Sequence, residues 1–161
     1  MILYHTKVAK KKEAILMDRN KIIDVMLEKT LEIYNSSESY QAKGKHAMLV
    51  VQTKSESYPE RWDSTILPFG RPYTDPTLQD GYPISTGFST DTTVHEKIAY
   101  VRRTGKNSGA PFHEVVGQES FWKGAVISGD GKCICAFSGF TGEDDVIIAE
   151  AGIAEYENQV N

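Results

Sequence analysis

The chain has 161 residues, 40% hydrophobic and 25% charged, with a formal net charge of −4 and two cysteines. That length fits one domain able to bury roughly two-thirds of its unfolded surface. The acidic balance speaks against a nucleic-acid binder. Two cysteines exclude a disulfide framework, and no apolar run approaches the roughly 20 residues of a membrane helix. The N-terminus lacks the apolar core and small-residue cleavage site of a secretory signal, so the expected location is cytoplasmic.

Met1-Ile2-Leu3-Tyr4 suits a short strand or an arm, and Lys10 to Met17 the start of a helix. Lys7, Lys10, Lys11 and Lys12 concentrate positive charge, as a solvated terminus or a patch for an anionic partner. A stronger helix is expected from about Lys21 to Tyr34, capped by Asp18 or Asn20. Ile22, Ile23, Met26, Thr30, Ile33 and Tyr34 fall on one stripe at helical spacing. Asn35 to Lys45 reads as polar turn, and His46 to Gln52 as a short buried strand.

Residues 54–90 hold five of the six prolines, together with Tyr58, Trp62, Phe69, Tyr73 and Tyr82. So many aromatics argue against disorder. The expectation is an ordered insertion that covers a pocket or a subunit interface, or packs on its own domain, with Thr65-Ile66-Leu67 as a short strand inside it.

A second helix is expected over Asp91 to Thr104. Thr93 and Glu96 have capping-box spacing; Val94, Ile98 and Val101 share a face with Ala99 beside them. Arg102 and Arg103 suit its last turn and Gly105 stops it. Pro111 to Val116 reads as a short helical turn.

The last third then reads strand, tight turn, strand, capped helix. Phe121 to Ile127 and Cys133 to Phe137 are apolar runs around the turn Ser128-Gly129-Asp130-Gly131. Thr141 caps a final helix whose first turn carries Glu143, Asp144 and Asp145. The expected fold is one α+β domain over residues 1–161.

This tail resembles the haem-degrading domain family, the GlcG and HbpS-like proteins. The same domain forms the C-terminal part of some cobalamin adenosyltransferases. The matching residues are Gly124-Ala125-Val126-Ile127, Gly131-Lys132, Ala136 to Thr141, Glu143-Asp144-Asp145, then Ala149, Ala151, Gly152 and Ile153. Glu96-Lys97-Ile98-Ala99 is similar to the family's helix with a Lys before a small residue. The family's Asp-Ala-Gly-Gly turn after the first strand is replaced here by Gln52-Thr53-Lys54-Ser55. The resemblance implies a profilin-like antiparallel sheet of about five strands flanked by helices, a homo-oligomer, and haem binding, haem degradation or cofactor handling.

Under that resemblance His95 and His113 are the candidate axial ligands for haem iron. Phe112 is the ring to lie against a porphyrin, and Lys97 and Arg102 are the propionate partners. Any degradation would be iron–oxygen chemistry at the bound haem, with the protein orienting it. No histidine pair has the spacing of a zinc hydrolase. Cys133 and Cys135 share a strand face, as small buried hydrophobes or as ligands of a soft metal. The alternative function is a non-catalytic assembly protein with an aromatic interface.

Overall fold

The computed structural model describes residues 17–70, 78–79, 82–83 and 90–161. The expectations for the first 16 residues, for Tyr73 and for the side chain of Tyr82 lie outside the described residues.

Helix α1, Arg19–Ser36, begins where Asp18 Oδ1 accepts the N–H groups of Asn20 and Lys21. Two donors that a helix start leaves without partners are thereby satisfied. Its stripe of Ile22, Ile23, Met26 and Thr30 is buried, and the Thr30 hydroxyl donates to Met26 O at 2.8 Å. Ser37 ends α1 and caps a second short helix, α2, Glu38–Lys43, where the sequence suggested only a turn. Helix α2 docks through Tyr40, whose ring stacks on Phe140 at 4.1 Å. The Tyr40 hydroxyl donates to Asp144 and accepts the Thr141 N–H.

The main sheet contains β1, His46–Lys54; β2, Trp62–Gly70; β5, Ala125–Ile127; and β6, Cys133–Ser138. Its order is β2-β1-β6-β5, with every neighbouring pair antiparallel. Strands β3, Leu78–Gln79, and β4, Tyr82–Pro83, pair separately. Helix α3, Thr90–Thr104, covers one face of the main sheet. Helices α1 and α4, Gly142–Val160, cover the other.

This sandwiching explains why β1 reads as one continuous apolar run rather than an alternating one. Leu49 and Val51 meet α1 and α4, while Met48 and Val50 meet α3. Strand β6 divides likewise: Cys133, Cys135 and Phe137 face α1 and α4, and Ile134 and Ala136 face α3. Each Leu, Ile or Phe fully buried this way contributes about 1.5–3 kcal/mol.

The α+β class is as expected, and among the described residues the main sheet has four strands. The apolar run from Phe121 becomes strand only at Ala125, because Gly124 sits at φ +121 and turns the chain first. Phe121 and Trp122 are left exposed. Strand β2 is nine residues long, well beyond Thr65 to Leu67. Pro68 masks it in the sequence, yet fits because β2 lies at the edge of the main sheet among the described residues. Strand β1 likewise runs through Gln52 to Lys54, so the family's glycine turn has no counterpart there. Thr93 is buried inside α3 and does not cap it; Ala99 is exposed rather than packed.

Candidate functional site

Among the described residues, the segment between α3 and β5 carries the most exposed aromatic surface. Gly105, at φ +68, ends α3 with its N–H bonded to Val101 O. The chain then runs along the outer edge of β5. The Ser108 N–H donates to Ala125 O, and Ser108 Oγ accepts the Ala125 N–H at 2.9 Å. Asn107 Oδ1 accepts the Ile127 N–H at 3.0 Å. These side chains take up the outward ladder groups of β5 and close an edge that would otherwise template further pairing.

Beyond this edge lies the 3₁₀ turn Phe112–Glu114. Arg103 pins the loop: its guanidinium donates to both carboxylate oxygens of Glu119 and to Glu114 O. Glu119 Oε2 also accepts the Val116 N–H at 3.0 Å. The Arg103 hydrogen bond holds the Glu119 carboxyl below its ordinary value.

On this loop three rings meet. Phe112 stands edge-on to Phe121 with centroids 5.8 Å apart, and Phe121 stacks on Trp122 at 4.8 Å. Phe112 is 75% exposed, Phe121 41% and Trp122 49%. Beside this shelf Lys123 forms part of an open groove of about 430 Å³, with Ser108, Val126, Glu143, Val146 and Ile147 among its lining. The Lys123 ammonium lies 3.4 Å from Glu143 at the start of α4.

Beneath Gly124 is a second constellation, wholly internal. Lys97 Nζ donates to Asp145 Oδ2 and to Phe137 O, each at 2.8 Å. Asp145 Oδ1 accepts the Phe140 N–H at 3.0 Å. The pair ties α3, the end of β6 and the first turn of α4 together. Burial pushes the Asp145 carboxyl up to about 7 against the pull of Lys97. Burial also lowers the Lys97 ammonium below its usual value, against the pull of Asp145. A Cβ on Gly124 would stand 2.9 Å from Lys97 Nζ and 2.6 Å from Asp145 Cβ.

The five expected haem-site residues are therefore divided. Phe112 and His113 share the 3₁₀ turn on the aromatic shelf. His95 is exposed on α3. Arg102 lies over the Trp62 ring, 5.8 Å from its centroid, toward β2. Lys97 is 2% exposed and its ammonium is committed to Asp145 and Phe137. Among the described residues no group of three or more His, Cys, Asp or Glu side chains gathers to hold a metal. The sequence reading missed the shelf, because Phe121 and Trp122 pass for strand, and assigned Asp145 to helix-start electrostatics alone.

Comparison with protein-family models, with curated proteins and with solved structures finds no match to this chain. No helix among the described residues is long and apolar enough to cross a membrane.

Proposed function

We propose that this protein is a binding module for haem or a related tetrapyrrole, with the profilin-like architecture and the GlcG and HbpS-like kinship that its last third suggests. The observation that carries the reading is the exposed shelf of Phe112, Phe121 and Trp122, with His113 next to Phe112 in the chain. A flat conjugated ring gains by offset stacking on such a surface. A neighbouring imidazole is a suitable axial ligand for haem iron. Lys123 replaces Lys97 and Arg102 as the cation for a propionate: Lys97 is buried against Asp145 and Arg102 lies toward Trp62, whereas Lys123 is beside the shelf and its contact with Glu143 is exposed. His95 is the alternative ligand. The protein's part is to orient the ring and limit water on one side of it; the redox chemistry belongs to the cofactor.

The test is a haemin titration of the apo-protein at the Soret band, with His113→Ala, His95→Ala and Trp122→Ala alongside. A saturable one-to-one shift, lost in His113→Ala and weakened in Trp122→Ala, is the expected result. A non-saturating response in the wild type would remove the reading.

A second reading, a homo-oligomeric assembly or partner-binding protein, is favoured by the apolar character of the same surface. Val116 is exposed on the loop, and Ile147 is exposed on the α4 side of the groove. Exposed apolar patches of this kind mark interaction sites. Sedimentation over a concentration series decides it: association in the wild type, abolished by Trp122→Ser and unaffected by haemin, would put assembly first.

A further inference from the structure

The opposite face of the sheet holds a cluster whose chemistry the shelf does not use. Cys133 and Cys135 alternate on β6 toward α1 and α4, both fully buried, with their sulfurs 3.9 Å apart. Met26 of α1 brings its thioether to the same place. A Cβ on Gly152 of α4 would stand 2.7 Å from Met26 Sδ and 2.7 Å from Cys135 Sγ. Those two sulfurs are thus no further apart than twice that distance. Only a glycine at 152 lets α4 approach so closely.

We propose that Cys133, Cys135 and Met26 form an all-sulfur site for a soft monovalent metal ion, Cu(I) in the first instance. Thiolate and thioether donors select such ions over hard ones. With metal–sulfur bonds of roughly 2.3 Å, the 3.9 Å separation subtends an angle of about 116° at the metal, near trigonal. Three sulfurs suit that geometry. Zn(II) fits less well, since a closed zinc site takes four ligands.

Cu(I) displaces both thiol protons to solvent and is held by two thiolates and the thioether, a centre with one net negative charge whose burial the metal–sulfur bonds must outweigh. A disulfide is a poor alternative, because the sulfurs would have to close to about 2.05 Å across a single intervening residue. Both thiols are shut off from solvent, so the ion enters by transient opening and exchanges slowly.

The experiment is an anaerobic titration of the reduced protein with Cu(I) buffered by a chromogenic Cu(I) chelator. The wild type is expected to withdraw one equivalent. The Cys133→Ala/Cys135→Ala protein, checked for folding by circular dichroism, is expected to withdraw none. Met26→Leu, close in volume, is expected to bind roughly tenfold more weakly, the lower end of what losing a supporting group costs a metal site. X-ray absorption at the copper edge of the wild type is a check independent of any variant's folding, and a shell of sulfur alone is expected. No withdrawal by the wild type, undiminished withdrawal by a folded double variant, or nitrogen or oxygen in the shell would each overturn the proposal.

Discussion

Among the described residues, two ion pairs join helix α3 to later parts of the chain, Lys97 with Asp145 and Arg103 with Glu119, and they do opposite work. Lys97 meets Asp145 in the interior, where each side chain is 4% exposed or less. Arg103 meets Glu119 nearer the surface, with the arginine 44% exposed and the glutamate 7%. The first pair is electrostatically expensive, since burial penalises both charges. It holds three elements around a point where Gly124 leaves no room for a side chain. The second pair gains little in water, but it fixes the loop that presents the aromatic shelf. One secures the frame and the other positions the candidate site.

The largest expected effect comes from breaking the internal pair on one side. Lys97→Met leaves the Asp145 carboxyl facing only the Phe140 N–H, and is expected to destabilise the fold by about 3–5 kcal/mol. Urea denaturation reads it. Lys97→Met combined with Asp145→Leu removes both charges and is expected to recover much of that loss. A near-neutral Lys97→Met would mean that the pair contributes nothing to holding α3, β6 and α4 together.

A smaller loss is expected from Gly124→Ala. The residue sits at φ +121, and its new methyl would lie 2.7 Å from Phe137 O and 2.9 Å from Lys97 Nζ. Strain and crowding together are expected to cost about 2 kcal/mol or more, measured the same way. The Lys97→Met background should soften the effect, because the ammonium is then gone.

The pair also gives a pH dependence with a definite sign. The Asp145 carboxyl is raised from its ordinary 3.8 to about 7 in the folded protein. It therefore binds its proton more tightly folded than unfolded. Its contribution to stability is fully present below about pH 4 and is lost as pH rises toward 7. Stability measured against Asp145→Asn should fall across that window. Side-chain carboxyl NMR should place the Asp145 midpoint near 7; a midpoint near 4 would show that Lys97 dominates over burial.

Both partners of the internal pair were legible in the sequence, had the helices been read for charges on their apolar stripes. Lys97 lies between Val94 and Val101 at the spacing of the buried face, and Asp145 precedes Ile148, Ala149, Gly152 and Ile153 in the same way. A charge at such a position needs a buried partner. The local signals in the chain were easy to read for a physical reason: Asp18, Thr141 and Gly105 act on neighbours a few residues away. The same holds for the β5–β6 turn, where the Gly131 N–H bonds Ser128 O. Strand β2 was hidden because edge position, a property of the whole sheet, is what permits Pro68. The shelf was hidden because apolar content alone does not tell a buried strand from an exposed cluster. The sign was Gly124, whose positive φ ends the run before the strand begins. Of the haem-site residues the sequence named, adjacency kept Phe112 and His113 together, while helical periodicity already placed Lys97 on the inner face.

The smallest expected effect tests the surface pair. Arg103→Ala removes the donors to both Glu119 oxygens and to Glu114 O; Glu119, whose side chain is 7% exposed, keeps the Val116 N–H, so only a small fall in melting temperature is expected. The loop should loosen nonetheless. Amide exchange at Val116, whose N–H is held by Glu119, should rise, and the Phe121–Trp122 stack should show altered tryptophan emission. Raising the salt concentration to about 1 M shortens the screening length to about 3 Å and should move wild-type exchange only partway toward the variant, because the bidentate hydrogen bonds survive screening that a bare Coulombic contact would not. If exchange and emission are unchanged in Arg103→Ala, the shelf is held by its own ring contacts, and the division of labour between the two pairs of α3 fails at its outer end. If both change, haemin affinity or self-association should fall with them, since either occupant of the shelf needs its three rings already in place.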